Sequence, residues 1–134
     1  MSDEVPASAN TFVDSNIWLY AFIEGDDARK TAIAKSIVEV PSVILSVQVI
    51  NEVCRNLLRK ANFTEPEIQA LIDSFYAKYP VIPFEHSTLR CASELRVKYQ
   101  IAFWDGLIVA TALAAHASVV YSEDMRTIWS WKAN

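Results

Sequence analysis

Apolar and polar positions follow two rhythms along the chain. Four short runs are apolar at nearly every position: Thr11-Phe12-Val13, Val43-Ile44-Leu45, Val81-Ile82 and Val119-Val120-Tyr121. Short runs that are apolar on both faces are the pattern of strands buried in a parallel sheet. Between them apolar residues return at helical spacing. Asn16 to Ile23 is apolar almost all round, which predicts a buried helix. Asp27 to Glu39 carries Ile33 and Ile37 on one side, with Val40 following. Val47 to Ala61 has a stripe of Ile50, Val53, Cys54, Leu57, Leu58 and Ala61. The next helix opens on Thr64-Glu65-Pro66-Glu67, a capping box with proline in the first turn. It runs on through Ile68, Leu71, Ile72, Phe75, Tyr76 and Tyr79. Ser87 to Tyr99 is a weaker helix through Leu89, Ala92 and Leu95, and Trp104 to His116 is apolar enough to be the central buried helix.

Strands separated by helices predict an α/β fold of three layers, α/β/α, around a central parallel sheet of four, at most five, short strands. Residues 1–10, polar and rich in Ala and Ser, read as a loose segment, and residues 11–134 as a single domain. At 134 residues and 52% hydrophobic, the chain is long and apolar enough for one real core. A net charge of −4 argues against a general basic nucleic-acid surface, but leaves open an enzyme that reaches phosphates through metal ions. Cys54 and Cys91 form no metal or redox motif and read as free thiols in a reducing compartment. The N-terminus lacks a signal-peptide pattern, and the longest uncharged apolar stretch, Gly106 to Ala115, is too short for a membrane span, so a cytoplasmic protein is expected.

Ligands of open α/β sheets bind beyond the carboxyl ends of the strands, so the polar residues there carry the question of function. Asp14 follows the first strand and also suits a helix N-cap. Asp124 follows the last strand, where a solvated turn is the plainer role. Asp105 opens the most apolar helix, where the positive helix terminus favours its charge. Glu52 lies opposite the Ile50/Leu57 stripe with Arg55, Asn56 and Arg59, on a face that suits either solvent or a cleft. If these acids converge, their repulsion requires a cation. Oxygen-only ligands select Mg²⁺ or Mn²⁺, and two such ions about 3.5–4 Å apart suit in-line attack of water on a phosphodiester. His86 and His116 form no ligand pair, and Arg55, Arg59 and Lys60 suit a solvated face. With only Gly25 and Gly106 there is no phosphate-cradling glycine loop, and no serine sits in a nucleophile elbow.

Four segments then resemble a known family in order. Phe12-Val13-Asp14-Ser15-Asn16 resembles the opening D-[ST]-N signature of PIN domains. Ser46 to Val53 is similar to the segment with their second acid, Phe103 to Ala112 to their third-acid helix, and Ser122-Glu123-Asp124 to their closing [ST]-x-D. The compact spacing is most similar to VapC-type ribonuclease toxins of type II toxin–antitoxin systems. The resemblance implies a PIN-like fold and a Mg²⁺-dependent endoribonuclease in which Mn²⁺ can substitute. It makes Asp14, Glu52, Asp105 and Asp124 the catalytic and metal-binding acids, with Asn16 and Ser122 orienting them. It also implies an RNA substrate, a cognate antitoxin and a homodimer. Ten residues follow Asp124, and the family's further short strand is expected to be missing or replaced by a tail with Trp129 and Trp131. The rival expectations are a catalytically silent PIN-like interaction module and a receiver-like phosphoacceptor domain. The latter calls for an acid pair near the first strand and a lysine after a late one, whereas this chain has Asp14 there and no lysine between Tyr121 and Lys132.

Overall fold

The structure, a computed structural model, describes residues 10–23, 25, 27–122 and 127–130, the last four as backbone alone. The chain order is β1 (Asn10–Val13), α1 (Ser15–Phe22), α2 (Ala28–Val38), β2 (Val43–Ser46), α3 (Val47–Lys60), α4 (Glu65–Lys78), β3 (Val81–Ile82), α5 (His86–Tyr99), α6 (Phe103–Ala114), β4 (Ala117–Ser122) and β5 (Thr127–Ser130). Of the segment expected to be loose, Asn10 belongs to β1, and its side-chain amide donates to the Ala115 carbonyl at 3.2 Å. The rest of that segment lies outside the described residues.

The strands lie in the order β3-β2-β1-β4-β5. The first four are parallel, with Thr11 against Val43 and Val119, and Leu45 against Val81. The chain moves outward from β1 to β2 and β3, then returns to place β4 on the other side of β1. The boundary between β1 and β4 is therefore the topological switch point, where such sheets open a crevice at their carboxyl ends. All four residues of β2 are buried, as are Thr11, Phe12 and Val13, because helices cover both faces of the sheet.

The further strand expected to be missing is present. Residues Thr127–Ser130 pair antiparallel with β4, Val120 opposite Trp129, and this backbone pairing occupies the free edge of β4. Trp131 lies outside the described residues.

Trp18 sits at the centre of the main core. Its indole N–H donates to the Val13 carbonyl at 3.1 Å, and Phe75 and Tyr79 meet its ring edge-on at 5.2 and 5.3 Å. This satisfies the polar atom of a fully buried aromatic. Trp18 is the one wholly buried side chain of α1; the expectation that this helix is buried all round holds only on that side, and Phe22 is 41% exposed. The stripe on α3 packs as read, with Val49 also buried. A smaller core joins α5 to α6 through Ala92, Leu107 and Ala110. Rather than being buried throughout, α6 has an exposed leading turn, with Phe103 at 60% and Trp104 at 57% exposure. With glycine scarce, Asn62, Gln100 and His116 take the left-handed conformation where α3, α5 and α6 end. No helix of the described residues is long and apolar enough to cross a membrane.

Candidate active site

Three strand ends build the site. Asp14 is the first residue after β1 and the N-cap of α1. Its N–H donates to the Tyr121 carbonyl of β4 at 3.0 Å, which locks it to the switch point. Its side chain is 3% exposed, so its charge needs donors. The Ser15 N–H donates to Oδ1 at 2.7 Å, and the buried Ser122 hydroxyl, at the end of β4, donates to Oδ2 at 2.9 Å. The capping role and the site role of Asp14 are one geometry: the same turn that starts the helix aims the carboxylate at the strand ends.

Ser46, the last residue of β2, caps α3 by accepting from the Val49 N–H at 3.1 Å. One and a half turns further on, Glu52 projects back toward the sheet. Its two oxygens are held separately, Oε2 by the Ser15 hydroxyl and Oε1 by the Gln48 side-chain amide, each at 2.7 Å. The face of α3 that carries Glu52 therefore lines a cleft, while Arg55 and Arg59 on its flank are exposed. Asp105 lies in the first turn of α6, whose N-cap is Ala102 and supplies no capping side chain. The helix terminus favours a negative charge at that position.

Asp14, Glu52 and Asp105 line one cavity of about 130 Å³. Its walls are Phe12, Val49, Leu107 and Ile108, and Trp104 stands at its rim. Thr111 also faces it, with its hydroxyl donating to the Leu107 carbonyl at 2.8 Å. Among the described residues, none that lines it is basic. Three carboxylates thus share a cavity with apolar walls, and neutral donors hold Asp14 and Glu52. The donors offered to a ligand are all oxygens, the set that hard dications prefer. Among the described residues, however, no three metal-ligating side chains meet closely enough to form a preformed cation cluster.

Asp124 lies outside the described residues. Asn16 is placed apart from this cavity and lines a neighbouring one with Asn56 and Lys60. Sequence reasoning missed Ser15 and Gln48 as the supports of Glu52. Gln48 carried a signal, since it stands four residues before Glu52 on one helix face. Ser15 carried none, because its link to Glu52 joins residues 37 positions apart.

A parallel sheet with acids at its switch point places the chain among the open α/β folds that carry a site at the carboxyl ends of their strands. The PIN domain family model matches residues 11–128, and the chain belongs to that family. No curated protein matches the sequence at a significant level. Among solved structures, the fold is similar to VapC20 of Mycobacterium tuberculosis, a sarcin–ricin loop cleaving toxin. There the TM-score is 0.68 and the identity 22%, over 84% of this chain and 88% of that one. It is also similar to a chain of a toxin–antitoxin complex from Klebsiella pneumoniae (TM-score 0.64, 19% identity, 83% of each chain). A third is FitAcB from Neisseria gonorrhoeae (TM-score 0.62, 21% identity, 86% and 88% of the two chains).

Proposed function

We propose that this protein is a divalent-metal-dependent endoribonuclease toxin of a type II toxin–antitoxin pair. In this reading Asp14, Glu52, Asp105 and Asp124 are its catalytic and metal-binding acids. The observation that carries it is the gathering of Asp14, Glu52 and Asp105 around one cavity at the carboxyl ends of the strands. Carboxylate oxygens sharing one cavity are the donor type that a hard cation, Mg²⁺ or Mn²⁺, prefers. Mg²⁺ commonly keeps several waters and binds through one or two carboxylates, which suits acids that share a cavity without closing on a single point. A bound dication there supplies Lewis-acid activation of water and neutralises the phosphodiester.

The chain's own residues supply position. Ser122 and the Ser15 N–H hold the two oxygens of Asp14 in a fixed plane. Ser15 and Gln48 do the same for Glu52, so one serine couples the two acids through its N–H and its hydroxyl. Supporting bonds of this kind orient metal-ligating carboxylates. Phe12, Val49 and Leu107 give the cavity apolar walls, which strengthen the electrostatics there. The similar folds include a toxin that cleaves the sarcin–ricin loop and chains solved with antitoxins, which supports RNA as substrate and an antitoxin as partner. A homodimer is part of the same proposal.

The test is cleavage of structured RNA by purified protein in Mn²⁺ and in EDTA, beside Asp14→Asn and Asp105→Asn. Turnover is expected to require the metal and to fall at least about a hundredfold in each variant, the scale of losing one preorganised charge-stabilising group. Full metal-dependent turnover in either variant overturns that residue's role. The absence of a three-ligand cluster among the described residues favours one rival, a catalytically silent PIN-like interaction module. That rival expects no cleavage and no Mn²⁺ binding.

A further inference from the structure

Trp104 and Phe103 stand out from the rest of α6. Among the described residues, the other aromatic rings in mutual contact cluster around buried Trp18, whereas these two are 57% and 60% exposed at the helix's leading turn. Trp104 lines the carboxylate cavity and precedes Asp105. The pair is not loose. The rings meet edge-to-face at 5.3 Å, and the Arg96 guanidinium covers Phe103, 4.2 Å from its ring centre. Arg96 also reaches the Phe103 carbonyl at 3.4 Å. Arg96 braces Phe103, Phe103 braces Trp104, and the indole is presented to solvent beside the acids.

Exposing two large aromatic rings to water forfeits their burial, so a well-braced pair at a cavity rim is suited to a ligand with a flat apolar face. A nucleobase is such a ligand, and unpaired bases of single-stranded RNA stack on aromatic side chains and on arginine planes. We propose that Trp104 is a base-stacking platform that positions an unpaired nucleotide beside the carboxylates, with Phe103 and Arg96 holding its orientation. This rests on the nuclease reading for its substrate, but not for its geometry. The guanidinium adds positive charge next to an acidic cavity, where the RNA backbone must pass. Because every base has a stackable face, the platform selects for an unpaired base rather than for one sequence. Trp104 is a binding and positioning residue; the acids remain the catalytic ones.

The test uses a hexaribonucleotide containing 2-aminopurine, titrated in Ca²⁺ with wild type, Trp104→Ala and Trp104→Phe, its intactness checked on a denaturing gel. Stacking quenches 2-aminopurine. The expected result is quenching by wild type, a roughly ten- to hundredfold weaker affinity with lost quenching in Trp104→Ala, and partial recovery in Trp104→Phe. Equal affinity and quenching in wild type and Trp104→Ala overturns the proposal. So does binding by wild type without quenching, even if RNA is cleaved in Mn²⁺, which leaves the nuclease reading standing. Trp104-dependent quenching without cleavage upholds the platform and sinks the nuclease reading. If Trp104→Ala instead loses a self-association seen by sedimentation while binding the oligonucleotide unchanged, the pair is a contact between copies and the platform is wrong.

Discussion

Gly106 follows Asp105 in the first turn of α6, and a Cβ built there would lie 2.8 Å from Arg96 Cγ and 3.0 Å from the Ala92 carbonyl oxygen. The first neighbour is near the root of its side chain and the second is backbone, so neither yields cheaply. Helix propensity favours alanine over glycine by about 1 kcal/mol. Overpacking a tight contact costs about 1–3 kcal/mol. Gly106→Ala is therefore expected to lower stability by about 1 kcal/mol net in urea unfolding. A variant more stable than wild type would mean that α5 gives way easily. The same scale explains why Asp14 is tolerated at 3% exposure: each of its oxygens has a described donor. Its position was legible in Phe12-Val13-Asp14, since a strand end followed by Asp-Ser-Asn reads as a turn into a helix. Its bond to Ser122, 108 positions away, was not.

At the scale of elements, α4 is the clearest case of local sequence deciding local structure. Thr64 donates to Glu67 through its N–H at 3.0 Å and through its hydroxyl at 2.9 Å, while its Oγ1 accepts from the Glu67 N–H at 3.3 Å. The backbone bond first and the hydroxyl second hold the Glu67 carboxyl below its usual range. A folded-state value below the unfolded one means the contribution is full above the unfolded carboxylate range, near about pH 4.3. It is lost as pH falls through the lowered folded value. Glu67→Gln is therefore expected to be less stable than wild type near neutral pH, with the gap closing in acid, as followed by denaturation from neutral to strongly acidic buffers. A gap that stays constant through the acid range would show that Glu67 acts through packing alone. Element positions were legible because short runs apolar on both faces alternate with longer segments of helical period. The exposure of Phe103 and Trp104 was not, because an apolar helix reads the same whether or not its first turn projects past the sheet.

At the scale of the whole molecule, the test is linkage between the site and folding. A cation that binds only the folded chain stabilises it by mass action, by about 2.7 kcal/mol when free ligand is a hundred times Kd. Mn²⁺ is expected to raise Tm by several degrees in wild type, and Asp14→Asn to remove most of that rise. An unchanged Tm in wild type would favour the silent interaction module. Amino-acid order alone specified the alternation of strands and helices, the caps of α1 and α4, and the acids that end or begin those elements, because each depends on neighbours within a turn or two. Packing alone chose which polar faces meet. The order β3-β2-β1-β4-β5 brings Asp14, Ser122 and Ser46 to one edge, turns Glu52 inward while leaving Arg55 in solvent, and adds β5 to the β4 edge. Those choices depend on contacts between residues tens of positions apart, which no local period encodes.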